Sequence, residues 1–167
     1  GNPIAHSKSP EIHAAFAQQT GQDISYERIL GPIGGFDGAV MQYLRGGGKG
    51  MNVTLPFKLA AFEIASSASE RAIAARAANF LRFDGDEIHC DNTDGIGLVN
   101  DIEQGLGFVL TGTRVLLVGA GGAAQGVVLP LLHAGVAALT ISNRTEEKAH
   151  ALLAMIAIAS VVTTGQV

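Results

Sequence analysis

Along this chain of 167 residues the apolar positions switch between two spacings, roughly every third or fourth residue and every second one, with glycine-rich corners between them. From Ser9 the helical spacing is clear: Ile12, Ala15 and Phe16 fall on one side, with Ser9 as N-cap, Pro10 at the first helical position and Glu11 in the first turn. This predicts a helix to about Gln19, stopped at Gly21. Ile24 to Leu30 reads as a strand, and Phe36 to Leu44 as an amphipathic helix ended by Gly46, Gly47 and Gly48. Gly50 to Leu55 is extended, because Pro56 disfavours helical geometry at Leu55, and a helix follows from near Phe57. An alanine-rich stretch from Ala68 to Ala75 is read as helical. Ala78 to Phe83 and Glu87 to Cys90 form a hairpin about Asp84, Gly85 and Asp86. Gly95 to Leu106 is helical in pattern (Ile96, Val99, Ile102, Leu106) and ends at Gly107. Val115 to Val118 is a strand, Gly122 to His133 a helix, Ala138 to Ser142 a strand and Glu146 to about Ile158 a helix. Val161 to Thr164 starts a third strand.

Strand and helix in alternation give an α/β fold, divided near Thr111, Gly112 and Thr113 into residues 1–107 and 108–167. Between Arg114 and Arg144 only His133 could carry charge, a run long enough to be weighed as a membrane span. Gly119, Gly121, Gly122, Gly126 and Gly135, with Gln125 and Pro130, dilute it, and a buried strand, a turn and a buried helix account for it better. An apolar content of 47% with 16% charged residues supports a core and excludes a disordered chain. Eleven basic against fifteen acidic residues give a net charge of -4, so no long-range field draws in nucleic acid or an anionic membrane, and any bound anion needs a local site. A lone cysteine, Cys90, excludes an internal disulfide and suits a reducing compartment, with the cytoplasm as the expected location. The start at Gly1, without Met or a charged and apolar leader, reads as a fragment with no targeting signal preserved. His6, His13, His89, His133 and His150 show no metal-binding spacing.

The corner after the first strand of the second half reads Gly119-Ala120-Gly121-Gly122-Ala123-Ala124. Set between a β-branched strand and a helix, this G-x-G-x-x-A pattern is a dinucleotide fingerprint. Gly119 permits the tight turn, Gly121 lets a pyrophosphate approach the backbone, and Ala124 lets the helix lie close to the strand. Free amides at the helix start then bind phosphate. The end of the next strand carries Ser142-Asn143-Arg144-Thr145, with no carboxylate to take a ribose 2′-hydroxyl before Glu146. Arg144 offers a planar fork to a 2′-phosphate and Lys148 shares its helix face, so NADP(H) is the expected cofactor. The plainer alternative makes Asn143 a helix cap and Arg144 and Lys148 solvated charges.

A nicotinamide supplies hydride, which leaves the first half to hold a substrate and to give and take a proton. Asn52 and Thr54 share one face of an extended segment, and Lys58 follows in the turn. Asp91 and Asp94 flank a loop that opens a helix. Burial weakens an ammonium's hold on its proton and a neighbouring carboxylate restores it, so such a pair can exchange protons. Read singly, Lys58 is a surface lysine and Asp94 an N-cap.

Four motifs in order resemble those of the shikimate dehydrogenase family: Gly1-Asn-Pro-Ile-Ala-His-Ser7-Lys-Ser9-Pro, Asn52-Val-Thr54-Leu-Pro-Phe-Lys58, Asp91-Asn-Thr-Asp94-Gly, and Gly119-Ala-Gly-Gly-Ala with Asn143-Arg144-Thr145. The resemblance runs from residue 1 to about residue 150. It implies an N-terminal α/β substrate-binding domain followed by an incomplete Rossmann-like NADP-binding domain, and reversible reduction of 3-dehydroshikimate to shikimate with NADPH on the route to aromatic amino acids. Carried over by matching residue, Ser7 and Ser9 hold the substrate carboxylate, and Asn52, Thr54, Asn79 and Asp94 bond ring hydroxyls. Lys58 and Asp94 form the catalytic pair. Gly119 to Ala123, Asn143, Arg144, Thr145 and Lys148 hold the cofactor. Departures fall at Arg76 and Phe80, bulky where the family is usually small around Asn79, and at Gln125, where a basic residue is common. The strand expected before Gly1 and the segments that complete both sites toward the C-terminus are absent from the match. Two alternatives stand beside this reading: a quinate/shikimate enzyme of broader substrate or NAD use, and a ligand-binding remnant without activity.

Overall fold

The computed structural model describes residues 1–156 and 162–165; the predicted helix end at Ile158 and strand start at Val161 lie outside them. The first half contains α1 (Ser9–Thr20), α2 (Phe36–Arg45), β1 (Gly50–Asn52), α3 (Lys58–Glu63), β2 (Ser67–Ala68), α4 (Glu70–Ala75), β3 (Phe80–Asp84), β4 (Glu87–Asp91) and α5 (Asp94–Asn100). A five-residue π-turn, Asp101–Gly105, continues α5. The second half contains β5 (Arg114–Val118), α6 (Gly122–His133), β6 (Ala138–Ser142), α7 (Glu146–Ile156) and β7 (Val162–Gly165).

The first sheet runs β1-β3-β4-β2, antiparallel except for the β2/β4 pair. The expected hairpin is β3 and β4, with Asp84 opposite Glu87 across the turn. Its core holds Val40, Val53, Phe57, Leu81, Ile88 and Cys90. The second sheet, β5-β6-β7, is wholly parallel, with Val118 opposite Ser142, so the carboxyl ends of β5 and β6 lie side by side. Val127, Val128 and Leu131 of α6 and Leu152 of α7 pack with Leu139 and Ile141 of β6. The fold is thus α/β, with a Rossmann-like parallel sheet in its second half. Among the described residues no helix is long and apolar enough to cross a membrane.

Five expectations need correction. Lys8, not Ser9, stands at the N-cap of α1, and Pro10 falls one place further in; Ser7 takes over part of the capping role by accepting the Ser9 amide at 3.2 Å. Ile24 to Leu30 is irregular and joins no ladder among the described residues. Gly1 and Asn2 lie between this segment and the end of the β1 segment, bonding Gly31 on one side and Leu55 on the other, so the two edges do not meet there. The stretch from Ala68 to Ala75 is not one helix. Ala68 ends β2, and Ser69 caps α4 by accepting the Ala72 amide at 3.1 Å. The helix predicted from Gly95 to Leu106 starts at Asp94 and loosens after Asn100 into the π-turn. Finally, β5 is not buried on both faces. Val115 and Leu117 pack against the α6 core, whereas Leu116 and Val118 are 60% and 71% exposed. A strand's alternation covers only the face on which a helix lies.

The two halves meet where α5 crosses α6, with backbone nearly on backbone. A Cβ added at Gly95 would lie 2.2 Å from the Gly126 carbonyl oxygen, 2.5 Å from Pro130 Cγ and 3.0 Å from Val127 Cα.

Candidate functional site

Around the end of the hairpin, Lys58, Asn79 and Asp94 form a continuous polar chain. Lys58 opens α3 and Asp94 opens α5, and Lys58 Nζ donates to Asp94 Oδ2 at 2.6 Å. The two side chains are only 12% and 26% exposed, so water screens the pair weakly. Asp94 Oδ1 accepts Asn79 Nδ2 at 2.9 Å, while Asn79 Oδ1 accepts the Thr93 amide at 3.0 Å. Both carboxylate oxygens are therefore held in direction. The backbone supports this placement: the Lys58 carbonyl accepts the Ala78 amide at 2.8 Å, and the Asn79 carbonyl accepts the Val53 amide at 2.7 Å.

Three residues not singled out from the sequence shape this loop. Asn92, almost fully buried, donates to the Ala77 carbonyl at 3.0 Å and accepts the Asp94 amide at 3.2 Å. It also lies against α6, where a Cβ at Gly126 would be 2.9 Å from Asn92 Oδ1. Ser69 and Arg71 bind Asp91. Arg71 does so through Nη2 at 2.5 Å and Nε at 3.2 Å, and Ser69 donates its hydroxyl to Asp91 Oδ1. The Asn92 amide adds a bond at 2.7 Å. Asp91 is thus committed to these partners, and Asp94 alone is paired with the lysine.

Burial by itself would raise the Asp91 carboxyl, but the Arg71, Ser69 and Asn92 bonds together outweigh it and hold its pKa below the ordinary 3.8. A carboxyl depressed on folding contributes stability above its unfolded pKa and loses that contribution as pH falls through the folded value. Asp91→Asn is therefore expected to lower the urea midpoint at neutral pH and to flatten its decline below about pH 4. Urea titrations of both forms between about pH 2 and 7 check this, and parallel curves would count against it.

A second polar group lies at the start of α1. Ser7 Oγ donates to Ser9 Oγ at 3.1 Å, and Arg28 Nε donates to the Ser7 carbonyl at 2.8 Å while its Nη2 pairs with Glu11. Tyr26, two residues before Arg28, donates to Asn52 Oδ1 at 2.7 Å. Ser7, Ser9, Tyr26, Asn52 and Thr54 all line one cavity of about 770 Å³, with Phe80 on its wall. Lys58, Asn79 and Asp94 do not line it, although the Val53 bond to Asn79 joins the two groups through a shared strand edge. Tyr26 and Arg28 were hidden in the sequence inside an expected strand, on the same alternate face as Ile24 and Leu30; their spacing of two was the available signal.

The glycine-rich corner adjoins the lysine. Gly119 has φ +116°, a region that favours glycine, and its amide donates to the Ser142 carbonyl at 2.7 Å, tying the turn to the end of β6. Gly121 precedes α6 in extended geometry with no side-chain cap, and a Cβ there would meet no atom within 4 Å. Ala124 is buried in the core beneath the helix start. Among the described residues, no protein acceptor takes the amides of Gly122, Ala123 and Ala124 at the head of this twelve-residue helix, which is where an anion is best held. Ala120 is buried at the turn. A Cβ at Gly122 would be 4.0 Å from Lys58 Cβ, so the ion pair and the helix head share one neighbourhood. Arg144, Thr145 and Lys148 are exposed just beyond β6, and Asn143 Nδ2 donates to the Thr145 carbonyl at 2.7 Å instead of capping the next helix. This cradle fits a dinucleotide phosphate with a further anionic group near Arg144. Gln125 Oε1 is buried without a partner among the described residues, one turn into α6.

Comparison with known proteins agrees over nearly the whole chain. Residues 1–81 match the family model of the shikimate dehydrogenase substrate binding domain, and residues 102–164 match that of shikimate / quinate 5-dehydrogenase. The chain is 58% identical over 149 residues to a shikimate dehydrogenase (NADP(+)) from Janthinobacterium sp. (strain Marseille), covering 89% of this chain and 55% of that protein. An Ael1 enzyme from Pseudomonas putida superposes with a TM-score of 0.89 at 49% identity, over 98% of this chain and 60% of that one. Shikimate 5-dehydrogenase from Thermus thermophilus, in complex with NADP(H) and shikimate, superposes with a TM-score of 0.86 at 32% identity, over 96% and 59%. The chain spans little more than half the length of the relatives it matches.

Proposed function

Since the chain belongs to the shikimate dehydrogenase family, we propose that its described residues build the substrate-holding part and the phosphate cradle of an enzyme that interconverts 3-dehydroshikimate and shikimate with NADP(H). The observation that carries this reading is the shielded Lys58–Asp94 pair at 2.6 Å, set beside the uncapped head of α6. The names of the relatives support the cofactor, and the ligands of the Thermus thermophilus structure support both small molecules. The division at 107/108 assigns substrate to the first part and cofactor to the second.

When bound, the nicotinamide supplies a hydride to the carbonyl carbon. Lys58 Nζ donates a proton to the carbonyl oxygen as negative charge gathers there, and takes it back in the reverse direction. Asp94, fixed by Asn79, keeps the ammonium in place and accepts a ring hydroxyl. Ser7 and Ser9 hold the carboxylate near the amino end of α1, where the helix dipole favours an anion. Asn52 and Thr54 present polar groups to the ring, and Asn79 bonds a hydroxyl from the hairpin end. Gly119, Ala120, Gly121, Gly122 and Ala123 receive the pyrophosphate, and Asn143, Arg144, Thr145 and Lys148 the adenosine ribose with its 2′-phosphate.

Steady-state reduction of 3-dehydroshikimate with NADPH and with NADH tests the reading, with quinate oxidation as the arm for broader use. Preference for NADPH is expected, and Arg144→Ala should reduce it by about tenfold or more, as expected for losing a charged hydrogen bond worth about 1.5–3 kcal/mol. Unchanged preference would remove Arg144 from the cofactor site.

A further inference from the structure

The phenol of Tyr26 sits on the wall of the cavity that holds Ser7, Ser9, Asn52 and Thr54. Its ring lies flat on His13 of α1, with centroids 4.1 Å apart and planes within 7° of parallel, so ring position is set by packing and not by the hydroxyl. From there the hydroxyl donates to Asn52 Oδ1 at 2.7 Å. Burial pushes the phenol pKa above its ordinary value, against the opposing effect of Asn52 and Ser9, which keeps it a proton donor throughout the neutral range.

A side-chain amide has one accepting and one donating end. With Oδ1 taken by the phenol, Asn52 keeps Nδ2 without a protein acceptor among the described residues, on a residue exposed at the cavity. We propose that Tyr26 is a positioning residue for substrate recognition, holding the Asn52 amide with its donor end toward the cavity so that it selects a ligand oxygen able to accept. This rests on the substrate reading above and deepens it. The ring hydroxyls and carboxylate of shikimate offer such oxygens.

Calorimetric titration of this chain with shikimate and, separately, with NADP+ tests the proposal in four forms: unsubstituted, Tyr26→Phe, Asn52→Ala and the double variant. Phenylalanine keeps the stack on His13 and removes only the hydroxyl. Tyr26→Phe should weaken shikimate binding about tenfold, the upper range for one neutral hydrogen bond. In the Asn52→Ala background the same change should alter affinity less than about twofold, because the phenol then has no amide to hold. NADP+ affinity should stay constant throughout. Equal shikimate affinity of the Tyr26→Phe and unsubstituted forms overturns the proposal. So do an equal loss in both backgrounds and a parallel loss for NADP+. If the unsubstituted chain binds NADP+ but no shikimate, the substrate reading itself falls and takes the proposal with it.

Discussion

Lys58→Ala should slow 3-dehydroshikimate reduction by about 10²–10⁴-fold, the usual worth of a positioned general acid, while changing substrate affinity far less. The side chain is mostly shielded and its Nζ is fixed on Asp94 Oδ2 at 2.6 Å, so the substitution removes the ammonium that the site holds in place. Alanine leaves Asp94 still bonded to Asn79 at 2.9 Å and its backbone amide bonded to Asn92, so the loop should persist without the cation. Single-turnover oxidation of NADPH, read alongside shikimate titration, separates the two effects. A loss confined to affinity would make Lys58 a binding residue and leave the proton transfer without a donor.

The largest effect on stability is expected at Gly95. Alanine there would set a methyl group 2.2 Å from the Gly126 carbonyl oxygen and 3.0 Å from Val127 Cα, both backbone atoms that cannot swing aside. Overpacking of that kind costs about 1–3 kcal/mol, and the upper end applies because two helices must separate to admit the group. Gly97, two residues on in the same helix, is the control. It is exposed, a Cβ there meets nothing within 4 Å, and Gly97→Ala should stabilise by up to about 1 kcal/mol through helix propensity. Urea unfolding of the two variants should therefore move in opposite directions. A Gly95→Ala midpoint at or above that of the unsubstituted chain would mean that α5 and α6 are not pressed together here.

Local chemistry explains what could be read beforehand. Gly119 and Gly121 stand where a parallel strand turns into a helix, and the spacing alone assigned their place. The pairing of Lys58 with Asp94 joins residues 36 apart, so spacing left it open and the family resemblance supplied it. Periodicity says less about partners. The pattern from Ile24 to Leu30 reads as a strand, but a strand needs a neighbour, and here Gly1 and Asn2 intervene. Likewise, Ile102 and Leu106 keep helical spacing through the π-turn, since widening one turn leaves an apolar pattern nearly intact. Asn92 was illegible for another reason. Nothing in an asparagine's identity tells a surface loop from a buried brace between two elements.

The Gly95 and Gly126 apposition also governs how this molecule can flex. Two backbones in direct contact cannot slide over one another by swapping rotamers, so the Gly95 and Gly126 contact favours a change in the angle between the halves that turns about it. Asp94 is the residue next to the fulcrum and would travel little against the α6 head. Such a rotation would leave the Lys58–Asp94 pair almost in register with the head of α6.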